Sequence, residues 1–227
     1  MGRFKNAWQH FCTISHHKVL VCQHCFKVGL YRQGIMHDLS KYSLTEFRVG
    51  VNYYQGDRSP NTAERSDLGY STAWLHHKGR NRHHYEYWID MKGNRDATLE
   101  GKPMPTRYVV EMFCDRMAAS KVYQGSAYTD ASSLEYLRLE QSAKGELLMH
   151  PDTKALLERM LTWLAEDGEE IALRRVRNEI VKPRHREPIP QSFSEGIGVG
   201  NIGEVLFSRL TRRASLATCC ASEALPL

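Results

Sequence analysis

The sequence GIMHDLSKYS occupies residues 34–43 and places the pair His37-Asp38 between a predicted helix and Lys41. Upstream, residues Arg3 to Leu30 show the three- and four-residue spacing of apolar side chains that is typical of one long helix. An imidazole and a carboxylate that follow a helix and a short turn can both reach one metal ion. Zn, Mn, Fe and Ni accept such nitrogen and oxygen ligands. The stretch therefore predicts a metal site beside the end of a helix.

Further candidate ligands lie on both sides of this pair. His17 precedes it on the long helix, and Asp115 follows it in a later helical pattern. The stretch AWLHHKGRNRHHYEYW, residues 73–88, adds two double histidines, which are His76, His77, His83 and His84. With more than four candidate ligands, we predict one or two divalent transition metals, Mn, Fe, Ni or Zn, of unknown identity.

Several of these assignments have simpler alternatives. A lone histidine such as His17 on an apolar stripe can be a satisfied core imidazole. Asp115 lies among apolar residues and is costly there unless it binds a metal or pairs with a neighbouring arginine or a capping group. We expect at least one of His76 and His77 to ligate, with His77 favoured. The pair His83-His84 can complete a second metal site, bind phosphate, or hold Glu86 and its loop in place.

Other polar residues near these histidines are candidates for catalysis and substrate binding. Asp38, Lys41 and Glu86 are the candidate catalytic residues, with Glu86 a possible general base or an orienter of an imidazole. Lys41, Arg80 and Arg82 can hold a phosphate, and Asn81 can orient the loop or donate to substrate. Alternatively, Arg80 and Arg82 are charged loop residues that contact only solvent.

The pattern of elements predicts an all-α fold. Ser43 and Glu46 form a capping box that begins a helix, and residues Arg107 to Tyr123 have strong helical periodicity. Residues 56–69 and 92–106 are predicted loops, and residues 83–91 a helical segment. No segment shows the alternation and turn signals of a hairpin.

The long first helix carries two stripes, and either can face a core. One stripe is Trp8, Cys12, Val19, Cys22, Phe26 and Gly29, which we expect to face a core. The other, spaced in the same way, is His10, Ile14, His17, Val21, His24 and Val28. We expect His10 and His24 at the helix surface or behind the metal ligands.

Domain organisation follows a change in composition near residue 182. We predict a helical metal-binding domain over 1–181 and a Pro/Gly-rich tail over 182–227, which is disordered or partly helical, with a short helix at 204–215. The net charge of +5 suits anionic small molecules and does not by itself indicate nucleic acid. With neither a signal peptide nor a long apolar run, we expect a cytoplasmic protein without membrane contact.

The order His17, His37-Asp38, His76-His77, Asp115 resembles the HD-domain superfamily of metal-dependent phosphohydrolases. In that superfamily, a histidine, a His-Asp pair and a later aspartate come from successive helices of an all-α bundle. The double histidine His76-His77 followed by Gly79 resembles its two-metal cyclic-dinucleotide phosphodiesterase branch, but Arg80-Asn81-Arg82 stands where that branch has Gly-Tyr-Pro. The two quoted stretches more closely resemble an uncharacterised family of small bacterial and phage proteins, over roughly residues 8–181.

Ligand inventory and resemblance together give the functional hypothesis. It is a metal-dependent hydrolase that uses a metal-bound hydroxide on a phosphomonoester or phosphodiester, with a small nucleotide-like substrate. The alternatives are a non-catalytic, metal-stabilised binding or regulatory protein, such as a phage-associated one, and hydrolysis of a non-phosphate bond. The oligomeric state is left open.

Overall fold

The computed structural model of the chain describes residues 2–56, 58–93, 96–144 and 147–184. The first half contains α1 (Gly2–Val28), α2 (Tyr31–Met36), α3 (Leu44–Asn52), α4 (Pro60–Leu68) and α5 (Thr72–Lys78), with a 3-10 helix at Leu39–Tyr42. A 3-10 helix at Tyr85–Trp88 leads into strands β1 (Ile89–Gly93) and β2 (Asp96–Gly101). The second half contains α6 (Thr106–Gln124), a 3-10 turn at Gly125–Ala127, α7 (Ser132–Lys144), α8 (Pro151–Asp167), α9 (Glu169–Arg175), a π-helix at Val176–Val181 and α10 (Lys182–Arg184).

The core lies where α1, α6, α8 and α9 pack together. Phe113 and Met117 from α6 and Leu157, Leu161 and Leu164 from α8 are fully buried in it. Burying each such side chain stabilises the fold by about 1.5–3 kcal/mol relative to exposure. The mainly α prediction is confirmed, and the core fixes α1 against α6, the two helices that carry His17 and Asp115.

The buried face of α1 differs from the one expected. Trp8 is 68% exposed and Val19 is 52% exposed, so the prediction that their stripe faces the core is wrong. The stripe with the histidines is buried instead: His10, Ile14, His17, Val21, His24 and Val28. Carboxylates on the helices packed against α1 contact two of these imidazoles: Asp115 contacts His17, and Glu169 contacts His24. His10 and His24 are therefore buried and do not lie at the helix surface, whereas Cys12 on the stripe expected to face the core is exposed and Cys22 is half-buried.

Two segments expected without regular structure are ordered elements. Residues 60–68, predicted as loop, form α4, because Pro60 occupies the first helical turn, where its missing N–H costs nothing. Buried Glu64 on α4 accepts a hydrogen bond of 2.6 Å from the hydroxyl of Ser71, which ties α4 to the start of α5.

The hairpin of β1 and β2 replaces the predicted helix end and loop over residues 83–106. Ile89 pairs with Gly101 in an antiparallel register. A Cβ at Gly101 would lie 2.6 Å from the backbone of Leu148 and His150, so only glycine allows this approach. Long-range packing of this kind has no local sequence signal.

The predicted tail over 182–227, including the helix at 204–215, lies outside the described residues apart from its first three. Among the helices that the structure describes, none is long and apolar enough to cross a membrane.

Candidate metal centre

Five separate segments bring the candidate ligands together. His17 comes from α1, His77 from α5 and Asp115 from α6. His37-Asp38 lies between α2 and the first 3-10 helix, and His83-His84 precedes the second. Asp38 has φ of 51°, a left-handed conformation that aspartate tolerates better than most residues. Side chains distant in sequence thus converge on one buried point.

The first group of ligand atoms comprises His17, His37, Asp38 and Asp115, all within 4.8 Å of one another. His17 Nε2 lies 2.9 Å from Asp115 Oδ1 and 3.8 Å from Asp38 Oδ2. His37 Nε2 lies 3.3 Å from the same Asp38 oxygen and 3.4 Å from Asp115 Oδ1.

The second group comprises Asp38, His77, His83 and His84. Nε2 of His77 and Nε2 of His83 lie 3.3 and 3.4 Å from Asp38 Oδ1. His77 Nε2 and His84 Nε2 are 2.9 Å apart. Two ligands on one metal with bonds of about 2.1 Å are separated by about 3.0 Å at right angles and about 3.4 Å at the tetrahedral angle. Apart from the 3.8 Å between His17 Nε2 and Asp38 Oδ2, the spacings given for the two groups lie close to these edge lengths.

Asp38 belongs to both groups and divides its two oxygens between them. Oδ2 faces His17 and His37, whereas Oδ1 faces His77 and His83. A carboxylate shared in this way can bridge two ions, and two-metal sites hold their ions about 3.5–4 Å apart. The arrangement can therefore hold one metal ion or two adjacent ones.

Buried atoms without hydrogen bonds mark the same point. Within the described parts of the chain, eight buried side-chain atoms make no hydrogen bond of normal geometry, and five of them lie here: Nε2 of His17, His37 and His83, and both oxygens of Asp38. Two of the five are within ion-pair distance of a neighbour, His17 Nε2 of Asp115 and Asp38 Oδ2 of Lys41. Buried polar atoms are rarely left without a partner, because the lost hydration is not replaced. The donor set fits a borderline metal ion, which would satisfy all five atoms at once.

Electrostatics keep the two aspartates ionised. Burial alone would raise the pKa of Asp38, but His37, Lys41 and His77 hold it well below its usual range. Burial likewise opposes ionisation of Asp115, but the neighbouring imidazoles of His17 and His37 lower its pKa well below the usual range. Ionised carboxylates are the form that ligates metals.

The imidazoles respond differently according to their neighbours. Burial lowers the pKa of His17, and burial together with the charges of His83 and His77 lowers the pKa of His84 well below the usual range. These two rings are therefore neutral and ready to donate an Nε2 lone pair. Burial also lowers the pKa of His37, but Asp38 and the other acidic groups that contact His37 outweigh burial and raise this pKa well above 6.5. A bound cation would replace that proton.

Glu111 and Glu46 contact the histidines and were not predicted from the sequence as site residues; Glu111 also forms a third group of possible ligands with His37 and His83. Nδ1 of His37 donates to Glu111 Oε1 at 3.0 Å, and Nδ1 of His83 lies 3.3 Å from the same oxygen. Nδ1 of His77 donates to Glu46 Oε2 at 2.8 Å. A carboxylate behind an imidazole fixes its orientation and leaves Nε2 for the metal. The available signal was the position of Glu111 one helical turn before Asp115.

Glu46 also accounts for the position of the His76 side chain. Ser43 Oγ accepts from Glu46 N, as the capping box predicts, but the Glu46 side chain points to the histidines and not back to the cap. His76 Nδ1 donates to Glu46 Oε1 at 2.6 Å, and His76 is in none of the ligand groups among the described residues. The structure thus favours His77 over His76 as a ligand.

Lys41 and Glu86, the other candidate catalytic residues, lie beside the centre. Lys41 Nζ is 2.6 Å from Asp38 Oδ2, which raises the pKa of this lysine against the opposing effect of burial. Lys41 lines a smaller cavity of about 150 Å³, and Glu86 lines a larger one of about 690 Å³.

The residues expected to bind substrate occupy other positions. Asn81 donates to the carbonyl oxygen of His77 at 2.9 Å and to Ser40 Oγ at 2.8 Å, so it supports the loop. Arg80 is exposed, and exposed Arg82 lies over the Tyr87 ring and against the hydroxyl of Tyr108. Neither arginine lines either cavity.

Both cavities open onto the ligand groups. His84 and Asp115 line each of them, together with Trp74 and Tyr123. The larger cavity also presents three arginines that the sequence analysis did not select: Arg58, Arg65 and Arg116. They were missed because two of them flank or lie on α4, which was predicted as loop.

Comparison with protein-family models gives one match. Residues 6–163 match the Family of unknown function (DUF5662), a range that contains every candidate ligand. Comparisons with curated proteins and with solved structures give no match.

Proposed function

The chain belongs to the family of unknown function DUF5662, and we propose that it is an HD-like, metal-dependent hydrolase of phosphoesters with a nucleotide-like substrate. One observation carries the proposal. Asp38 joins two groups of potential metal ligands, and two members of these groups, His84 and Asp115, also line a cavity of about 690 Å³. A structural metal site is closed, whereas a catalytic one keeps a position open to substrate.

Metal ions bound in these groups would activate a water molecule near neutral pH and neutralise charge on the phosphoryl oxygens. The protein's own residues set up this chemistry. Asp38 and Asp115 stay ionised because of the imidazoles and the Lys41 ammonium around them, and Glu111 and Glu46 contact Nδ1 of His37, His83 and His77, which leaves Nε2 of each directed inward. Lys41 offsets negative charge beside Asp38.

Hydrolysis joins the oxygen of water to phosphorus and breaks the bond between phosphorus and the ester oxygen. The water loses a proton, and the ester oxygen gains one, so a phosphomonoester gives an alcohol and phosphate, and a phosphodiester gives an alcohol and a phosphomonoester. Glu86 on the wall of the larger cavity is our candidate to accept the proton of the water. Trp74, Tyr123 and Tyr136 line the same cavity and support a leaving group with an aromatic ring.

The proposal is tested with protein loaded with Mn, Fe, Ni or Zn and assayed on nitrophenyl phosphate, bis-nitrophenyl phosphate and nucleoside monophosphates. Asp38→Asn is the control, since asparagine keeps the left-handed backbone and the shape but cannot bridge two cations as an anion. Turnover that requires metal and is lost in Asp38→Asn supports the proposal. Stoichiometric metal without turnover of any phosphoester contradicts it and favours a metal-stabilised binding protein.

A further inference from the structure

The apolar stripe of α1 that was expected to face the core forms an exposed surface along the helix. With Phe4 one turn before it, the stripe includes Trp8, Val19 and Phe26, all exposed, and Phe4 is 88% exposed. The spacings between these four residues are four, eleven and seven positions, close to whole helical turns, so they share one face. At about 1.5 Å per residue, the surface is about 33 Å long. The buried stripe with His17 lies on the opposite side of α1.

Neighbouring aromatic rings extend this surface at both ends. The Phe11 ring centroid lies 6.0 Å from that of Trp8 and 6.1 Å from that of Tyr42 in the first 3-10 helix. At the other end, the ring centroids of Phe26 and of Tyr31 in α2 are 5.2 Å apart, and Tyr31 is exposed. Extended exposed apolar surfaces of this kind mark sites that contact a partner or a membrane.

This part of the chain carries its excess positive charge. Residues 2–56 contain seven lysines and arginines and two acidic residues, so their net charge of +5 equals that of the whole chain. Both acidic residues, Asp38 and Glu46, are buried. Residues 2–56, all of which the structure describes, therefore present no exposed carboxylate. The cations with exposed side chains in this range are Arg3, Lys5, Lys27 and Arg32.

An acidic side chain from another element reaches the C-terminal end of α1. It is Glu169 of α9, and the ammonium groups of Lys27 and Lys121 both contact it. Its charge is thereby offset, so the surface of α1 as a whole favours an anionic contact.

The charge pattern distinguishes the molecules that could cover this surface. A second copy that packed through the same face would place cations opposite cations, because a two-fold contact uses the same patch on both subunits. A helix with Trp and Phe on one face and lysine and arginine beside them is typical of helices that lie on anionic membranes. The expectation of no membrane contact rested on the lack of a membrane span and of a signal peptide, neither of which such a helix needs.

We propose that the exposed stripe of α1, from Phe4 to Phe26, docks on the surface of an anionic lipid membrane. The helix lies along the membrane, its aromatic side chains enter the boundary between headgroups and acyl chains, and the nearby cations attract the anionic headgroups. His17 lies on the buried face of the same helix, so the docking surface is separate from the metal centre. The proposal therefore does not rest on the proposed function.

Co-sedimentation of the full-length protein with lipid vesicles tests this proposal. We expect binding to vesicles of phosphatidylcholine mixed with phosphatidylserine, and binding roughly tenfold or more weaker to vesicles of phosphatidylcholine alone. The double variant Phe4→Ser, Trp8→Ser changes two exposed side chains, so it should fold, and its affinity for the mixed vesicles should fall roughly tenfold or more. Leu139→Ser, at an exposed position on α7, is the matched control and should bind like the wild type.

Charge reversal tests the electrostatic part of the contact. Lys5→Glu should weaken binding to the mixed vesicles roughly tenfold, because it replaces a cation beside the stripe by an anion. Arg138→Glu, at an exposed position on α7, makes the same change of net charge elsewhere and should bind like the wild type.

Circular dichroism first establishes that each variant is folded. Wild-type protein that sediments with neither kind of vesicle, or equally with both, overturns the proposal. Equal losses of binding in Leu139→Ser and in the double variant also overturn it. Analytical ultracentrifugation of the same samples tests the other occupant: a wild-type dimer that the double variant abolishes, without vesicle binding, assigns the stripe to a second copy and overturns lipid docking.

Discussion

Replacing Glu111 by glutamine should weaken metal binding in both ligand groups at once. One oxygen of Glu111 lies 3.0 Å from Nδ1 of His37 and 3.3 Å from Nδ1 of His83. His37 belongs to the first ligand group and His83 to the second. Glutamine has nearly the same shape but is neutral, so both imidazoles lose a charged hydrogen-bond acceptor.

The size of the effect follows from these two contacts. A hydrogen bond to a charged partner contributes about 1.5–3 kcal/mol, and a neutral one about 1 kcal/mol. The difference of about 1 kcal/mol for each imidazole corresponds to roughly five- to tenfold in affinity for each ion. Loss of carboxylates behind ligating histidines typically costs about 10- to 100-fold, so we expect about tenfold or more for each of two ions.

Glu46→Gln is the matched comparison. Glu46 holds His77, a member of the second group, and His76, which is in none of the groups among the described residues. Titration of metal-free protein with Zn or Mn should therefore show two weakened sites in Glu111→Gln and one in Glu46→Gln. Wild-type affinities in folded Glu111→Gln, or identical profiles for the two variants, would refute this reasoning.

Three predictions concern the stability of the fold. Gly50→Ala should destabilise the protein by about 1–3 kcal/mol in urea unfolding, because its Cβ would lie 2.0 Å from His10 Nε2, whereas Gly79→Ala, with 3.3 Å to its nearest neighbour, should change little. Burial lowers the pKa of His10 from 6.5 to about 4, so the unfolded state binds a proton that the folded state does not bind. As the pH is lowered from 6.5 to 4, the free energy of unfolding should therefore fall by up to about 3 kcal/mol. His10→Gln should flatten this pH dependence, and an unchanged slope would contradict the prediction. Leu161→Ala in the core should cost about 2–5 kcal/mol, measured by the same unfolding assay, and Leu139→Ala, at a 64% exposed position, about 0.5 kcal/mol or less; equal losses would contradict the assigned core.

The sequence contained most of the information about which residues meet at the centre. His17 and Asp115 lie on predicted helices on either side of the His37-Asp38 pair, and the structure brings all four residues together. What the sequence did not contain was the division of the two Asp38 oxygens between two groups. That division depends on the left-handed backbone at Asp38 and on the approach of α5, which is a tertiary property.

The orientation of α1 was not predictable from hydrophobicity alone. One stripe is apolar and the other carries three histidines, yet the stripe with His17 is the buried one, and Asp115 and Glu169 contact the imidazoles of His17 and His24. A histidine counts as polar in a periodicity argument until its carboxylate partner is known. The partners lie on other helices, distant in sequence.

The residues near α4 that line the larger cavity were not predicted, for a related reason. Residues 60–68 contain few apolar side chains, so their helix is stabilised by tertiary contacts such as the hydrogen bond from Ser71 to buried Glu64. Without α4, the arginines near it could not be placed on the cavity wall.

The central claim is that Asp38 joins two groups of ligands in one metal centre. Elemental analysis of the protein expressed without a metal-binding tag, beside Asp38→Asn, tests it most directly. The account predicts one or two equivalents of Mn, Fe, Ni or Zn in the wild type and loss of that metal in a folded Asp38→Asn variant. Absence of metal from the wild type after reconstitution, or full retention in Asp38→Asn, would contradict it.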